Sequence, residues 1–553
     1  MHQCAKAVCR CGVGLRRLQS VQRGDCPLEC AQACLACEGI LGLEVPVQPT
    51  MCQSCVAGDL RHAHSIQAFF SIQTCSGIHD SLAILGCLCF AHFHALDDSR
   101  HQNSFMIAAI INIVMLCPCW RLGMTCERCS MGRRVVITGL GLVSPLGCNV
   151  ELAWQRLLAG RSGVRTLSAG TAEGTGVCVA GRVPGQQEDP EAGWNAEAII
   201  SAKELRRMDR FIAFALGAAG QALAHAQWAH PSAEQRERAA TIIGSGVGGF
   251  STIAEAVRTT DGKGPQRLSP FTVPAFLANL AAGQVSIRHQ LMGPLGAPVT
   301  ACAASIQAIG DAARLIRNDE ADMALCGGSE ATIDRVALGS FAAAKAVTTF
   351  CGGDPARASR PFDQARDGFV MAEGAGLLVL EALDHALERG AKPLAEIVGY
   401  GTSADAYHVT SGPEDGAGAA RSMRAALRQA QLQAGDIQHL NAHATSTPVG
   451  DLGELAAIRQ VFGADSGPSI TATKSALGHM LGAAGGAAAI FTALALRDQI
   501  APPVLNLEHP DPMAAGLDLI AGNARAHAME HAMLNGFGFG GVNASLILKR
   551  FAA

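Results

Sequence analysis

From residue 131 onward three short patterns recur in the same order, and this ordered recurrence constrains the chain more than any other feature. VVITGLGLVSPLG at 135–147 is echoed by AEIVGYGTSADAYH at 395–408, and ATIIGSG at 240–246 by QHLNAHA at 438–444. VTACAASIQAIGDAARLI, beginning at Val299, is echoed by ITATKSALGHMLGAAGGA, beginning at Ile470. Likeness by chance among Ala- and Gly-rich stretches would not preserve the order, so two related halves are expected, the first with longer insertions. Within them, aliphatic runs alternate with Ala-rich helical stretches, the pattern of an α/β fold. Strands are predicted at 135–139, 240–244, 323–327, 376–381, 395–400, 439–442 and 544–549, and helices at 203–226, 304–318 and 417–430. Halves that face each other would bring equivalent strand-to-helix corners to one site.

Composition separates the preceding segment from these halves. Of 21 cysteines, all but Cys148, Cys178, Cys302, Cys326 and Cys351 fall in residues 1–130. Five scattered cysteines make no disulfide framework. Two readings give residues 1–130 a chemistry. Cys52 and Cys55 with His62 or His64 have the ligand types of a zinc site, though the cysteine spacings follow no finger pattern. Lys6, Arg10, Arg16, Arg17 and Arg23, with no acid before Asp25, resemble an organelle leader poor in serine. The plainer reading is preferred: a Cys-rich, poorly ordered extension without a part in activity, with Met131 the working start. The apolar run 105–117 is too short to span a bilayer. A net charge of −4 over 553 residues argues against a nucleic-acid binder.

Two glycine motifs fail on inspection. GLGLVS at 139–144 has Ser144 where a dinucleotide fingerprint needs its third glycine, and no acid follows at the required distance. GSGVGG at 244–249 lacks the lysine of a phosphate-binding loop. Cys302 is more informative. It follows a β-branched strand end and precedes a helical run, so the positive end of a helix dipole is expected to lower its thiol pKa. A buried core thiol is the plain alternative. The corner taken as equivalent in the second half holds Lys474 and His479, and the other echoed strand ends at His443. One cysteine, two histidines and a lysine then cluster where open α/β sheets form sites.

These residues carry a resemblance. Residues 131–553 resemble the type II β-ketoacyl-[acyl-carrier-protein] synthases of the thiolase superfamily. The matches are TACAAS around Cys302, SRPFD at 359–363, RDGFV at 366–370, NAHATSTPVGD at 441–451, TKS at 473–475 with Gly478-His479, and FGFGG at 537–541.

The resemblance implies the thiolase fold, two duplicated halves in five αβαβα layers, divided as residues 131–390 and 391–553. A homodimer is usual. It implies decarboxylative Claisen condensation, with Cys302 as the acyl-accepting nucleophile and His443 and His479 as donors to the malonyl thioester oxygen. Lys474 would be the fixed cation, the N–H groups of Cys302 and Phe539 the oxyanion hole, and Phe537 and Phe539 the gate. Phe276 and Leu277 resemble the acyl-pocket lining, and Lys203, Arg206 and Arg207 the docking face for acyl carrier protein. No metal or organic cofactor is expected. Ala488 stands where the family usually has a glutamate near the lysine, which removes an expected partner of Lys474. Gly536 and Val542 replace hydroxyl residues around the gate, and Ala372 and Ala444 replace glycines. A cytoplasmic enzyme of fatty acid elongation is expected, or a mitochondrial or plastid one if the leader is real. A specialised polyketide or polyene ketosynthase is the alternative. A non-catalytic chain-length-factor-like subunit is disfavoured by Cys302.

Overall fold

Aliphatic, β-branched runs buried on both faces need cover on both sides, which a layered sheet provides. The computed structural model describes residues 132–465 and 467–552. The candidate zinc ligands Cys52, Cys55, His62 and His64, and the basic leader, lie outside the described residues. In chain order the strands are β1 (Val135–Val143), β2 (Arg165–Thr166), β3 (Val179–Ala180), β4 (Ala239–Gly244), β5 (Leu295–Gly296), β6 (Met323–Glu330) and β7 (Gly374–Ala382). They continue with β8 (Ala395–Ala404), β9 (His439–Asn441), β10 (Ser469–Thr471), β11 (Ile500–Ala501), β12 (Arg525–Ala526), β13 (His531–Gly538) and β14 (Val542–Arg550).

Ten of these strands form one sheet in the order β10-β9-β13-β14-β8-β1-β7-β6-β4-β5. Read outward from the middle, the two sides are the same. β1 pairs antiparallel with β7, β7 antiparallel with β6, β6 parallel with β4, and β4 parallel with β5. β8, β14, β13, β9 and β10 repeat these directions. The halves join where β1 meets β8 over three pairs, Val135 with Ile397 to Ile137 with Ala395. The duplication read from the sequence is therefore present in strand order and direction.

Helices build the other layers, among them α1 (Arg210–His225), α2 (Ala304–Arg317), α3 (Ala417–Ala430), α4 (Pro448–Phe462) and α5 (Ala484–Asp498). α2 and α5 pack on each other and on strands of both halves, forming the middle layer. α1 covers β1, β7 and β6, while α3 and α4 cover the second half. The middle helices suit their place. α5 is Ala-rich and buried along Ala484–Leu496, so backbone and sheet approach closely.

The seven predicted strands are all present, although β9 stops at Asn441, one residue short of the predicted end. The helix predicted over 203–226 is broken. Ser201 and Glu204 form a capping box around the one-turn helix Ala202–Leu205. Asp209 then caps α1 afresh, accepting from the Phe211 N–H and from Thr252.

The five cysteines make no framework, but two of them are linked. Cys178 and Cys351, 173 residues apart, form a disulfide with Cα atoms 5.3 Å apart. Cys148, Cys302 and Cys326 are free. No helix among the described residues is long and apolar enough to cross a membrane.

Candidate active site

The nucleophile candidate sits on a bend that its own backbone makes. Ala301 has φ +49°, a left-handed conformation unfavourable for alanine, and opens a single 3₁₀ turn, Ala301–Ala303, that runs into α2. Gly538 makes the bend possible from the other side. A Cβ there would lie 2.8 Å from the Thr300 carbonyl oxygen and 3.2 Å from the Cys302 nitrogen. The half-buried Cys302 then faces a cavity of about 590 Å³, shared with His443, His479, Phe537 and Phe539.

The geometry repeats in the second half, although not at the residues expected. Leu481 has φ +44°, the 3₁₀ turn is Leu481–Ala483, and α5 follows. The true counterpart of Cys302 is therefore Gly482. Lys474, in the short helix Lys474–Leu477, and His479 precede that corner. They belong to the insertion between β10 and the turn.

His479 Nε2 lies 2.9 Å from Cys302 Sγ. The His443 and His479 rings are 5.5 Å apart between centroids and nearly perpendicular. Burial, followed by the positive charge of Lys474, holds both imidazoles well below their usual pKa, so both are neutral. Burial also brings Lys474 down to about 8, against the pull of Glu454, Cys302 and Asp451.

The thiol departs from expectation. Burial outweighs the helix terminus and pushes Cys302 up to about 12, with Glu330 adding to the rise. Lys474 and the backbone N–H groups of Cys302 and Phe539 pull the other way. The resting thiol is protonated. His479 Nε2 is its hydrogen-bond partner, and accepts the thiol proton in the tautomer protonated at Nδ1.

Three buried acids in the surroundings were missed from sequence. Glu454, on α4, accepts the N–H groups of His443 at 2.8 Å and Ala444 at 2.6 Å, and Nδ2 of Asn535 at 3.1 Å. It fixes the His443 backbone and pulls electrostatically on Lys474, although burial raises its own pKa. Asp451, one turn earlier, accepts from Ser446, Thr447 and Phe362. Glu330, at the end of β6, accepts from Gly246, Gly482 and Ser245, tying the two halves beside the cavity. Asp451 ends a recognised motif, and Glu454 follows three residues later on the same helix face. That spacing was the available signal. At Ala488 the carbonyl accepts from Asn441 Nδ2 at 3.3 Å, and Asn441 Oδ1 has no partner among the described residues.

The aromatic residues form a chain from the mouth inward. Phe539, 39% exposed, lies 6.5 Å from Phe341, and Phe341 meets Phe369 edge-on at 5.5 Å. Phe369 in turn meets His479 at 5.2 Å, and Phe537 meets His443 at 5.5 Å. Phe276 and Leu277 do not line this cavity. Phe276 lines a separate one of about 440 Å³ with Ile253, Val257 and Thr260, and Leu277 is 40% exposed. Lys203, Arg206 and Arg207 are exposed, and the Arg207 guanidinium lies 4.3 Å over the Phe271 ring.

Cys302, His443 and His479 also offer one sulfur and two nitrogens within 4.8 Å of one another, a donor set that zinc accepts. The Lys474 cation bears on all three and opposes a second positive charge.

Duplicated five-strand halves around two buried helices, with a thiol from one half against two imidazoles of the other, define the thiolase-like class of enzymes. Residues 132–386 match the family described as "Beta-ketoacyl synthase, N-terminal domain", and residues 394–508 match "Beta-ketoacyl synthase, C-terminal domain". The chain belongs to the beta-ketoacyl synthase family. It is 50% identical over 420 residues to 3-oxoacyl-[acyl-carrier-protein] synthase 2 of Rhizobium meliloti, covering 76% of this chain and 99% of that one. It is 43% identical over 436 residues to the mitochondrial 3-oxoacyl-[acyl-carrier-protein] synthase of Arabidopsis thaliana, covering 75% and 93%. Among solved structures it is similar to a type II polyketide synthase acyl-carrier protein in complex with its ketosynthase, bound to the hexaketide. The TM-score is 0.69 and the identity 31%, over 76% of this chain and all of the matched chain.

Proposed function

We propose that this acyltransferase joins a Cys302-bound acyl group to malonyl carried on acyl carrier protein, giving 3-oxoacyl carrier protein and carbon dioxide in fatty acid elongation. The contact of 2.9 Å between Cys302 Sγ and His479 Nε2 carries the reading. It gives the protonated thiol a base at the moment an acyl thioester arrives.

Cys302 attacks the thioester carbonyl, and the oxyanion accepts from the N–H groups of Cys302 and Phe539. The carrier thiol leaves with the proton. Malonyl carrier protein then binds, and loss of carbon dioxide builds negative charge on its thioester oxygen. Neutral His443 donates to that oxygen, as does His479 once its proton sits on Nε2, the tautomer opposite to the one that received the thiol proton, and Lys474 keeps both rings neutral. The carbanion attacks the acyl-enzyme carbonyl, the C–S bond to Cys302 breaks, and the leaving thiolate takes one proton from solvent to restore the thiol. The exposed Lys203, Arg206 and Arg207 suit the acidic surface of a carrier protein.

The identity of 50% to a relative named for 3-oxoacyl-[acyl-carrier-protein] synthesis favours fatty acid over polyketide substrates. Acyl carrier proteins of graded saturated chain length, offered with malonyl carrier protein, test this. Elongation of medium chains is expected, and refusal of all of them would sink the reading.

A further inference from the structure

A covalent link ties one wall of the cavity to a distant part of the first half. Cys178 stands directly before β3, in the short β2–β3 ribbon. Cys351 stands at the end of the segment 345–351, whose Lys345 and Ala346 line the cavity. This segment is held to residues 367–369 beside it. Thr348 N–H donates to the Phe369 carbonyl at 2.9 Å, and Thr349 N–H donates to Asp367 at 2.9 Å.

Around the disulfide, Cys178 and Phe350 pack against Val164, Val179, Ala358 and Val370. The Val370 carbonyl accepts the backbone N–H of His479 at 2.7 Å. A continuous contact thus runs from the disulfide to the imidazole beside Cys302. Cys351 is exposed, and Gly352 and Gly353 follow it with φ of +89° and +77°. The residue carrying one of the two sulfurs faces solvent, and the glycines beyond it let the chain turn if the link opens.

We propose that Cys178 and Cys351 form a thiol–disulfide exchange site for a dithiol of the Cys-X-X-Cys type, a reversible strap that positions the 345–353 segment along the cavity wall. One thiolate of the dithiol attacks Cys351 Sγ, the S–S bond breaks, and Cys178 leaves and takes a proton. The second thiolate attacks the mixed disulfide, releasing Cys351 as a thiol and the dithiol as its own disulfide. Two electrons pass to the protein, and the oxidised dithiol returns it to the linked form.

The test uses the full chain, poised in buffers of graded oxidised-to-reduced dithiothreitol, alkylated and mapped by mass. The linked peptide should convert to two alkylated peptides in a single two-electron transition. The Michaelis constant for acyl carrier substrate should rise severalfold over the same range. Cys178→Ser with Cys351→Ser, or Cys351→Ser alone if the pair does not fold, should hold the reduced value in every buffer. Alkylation of both cysteines in all buffers, or a link that resists dithiol in the folded enzyme, would overturn the exchange site. A serine variant that still follows the buffers would place the response on other cysteines and overturn the strap. So would a link that switches with no change in the Michaelis constant. The mass readout stands apart from the proposed condensation, so the two readings fail separately.

Discussion

The two halves build the same corner and complete it differently. In the first, Ala301 turns the chain and Cys302 points into the cavity. In the second, Leu481 makes the same turn and Gly482 follows, where a Cβ would lie 2.1 Å from the Gly246 nitrogen. Glu330 closes that side by accepting from both Gly246 and Gly482. Duplication supplied two helix termini of similar polarity, but one is open to substrate and the other is packed with backbone. A helix terminus alone does not make a nucleophile. Access to the cavity and a base within reach of the sulfur do.

Substitutions at the two corners should separate these contributions. The largest effect belongs to Cys302→Ala. It should lower condensation by at least about a thousandfold, as loss of a nucleophile does, measured as 3-oxoacyl product. Labelling by a cysteine-directed condensing-enzyme inhibitor such as cerulenin should vanish with it. His443→Ala and His479→Ala come next. Each should reduce malonyl decarboxylation by roughly 10²–10³, the scale of a lost oxyanion donor, read as carbon dioxide release. Full condensation in either variant would remove the role assigned to that residue.

At the closed corner the expected loss is in stability. Gly482→Ala should cost roughly 1–3 kcal/mol by overpacking against Gly246, seen as a lower melting temperature. Cys302→Ala should melt close to the parent. A Gly482→Ala protein of parental stability would mean that the second corner is not closed.

The smallest effect is one of pH. Lys474 falls from 10.5 to about 8 by burial, so it carries its charge below that pH and loses it above. The depressed value means that folding opposes the charged form. This penalty is present in full below about 8 and fades as pH rises towards 10.5. Activity that depends on the cation should therefore decline as pH rises through about 8. Lys474→Met should be slow and should lack that alkaline limb.

Sequence exposed the parts of this molecule that rest on local pattern. β1, β4, β6, β7, β8, β9 and β14 were readable because aliphatic runs alternate with Ala-rich helices. β13, HAMLNGFG, has no β-branched residue, and its extended form comes from pairing with β9 and β14. Cys302, His443, Lys474 and His479 were readable at strand ends and within recognisable motifs. Glu454 was not, because an acid in a helix normally faces water. Only the fold turns it towards the His443 and Ala444 N–H groups. The pairing of Gly482 with Cys302 was hidden by the insertion that carries Lys474 and His479. The Cys178–Cys351 link joins residues no local pattern connects, and Phe276, placed in the acyl pocket by resemblance, lines a different cavity.

The separation of 177 residues between Cys302 and His479 has a consequence during synthesis. Chains emerge from the ribosome first half first. Cys302 is therefore made well before His479, its hydrogen-bond partner, and before Phe539, whose backbone N–H bears on the thiol. A nascent first half carries the nucleophile without the machinery to use it. The cavity that Cys302 faces is complete only once the second half has added His443, His479, Phe537 and Phe539.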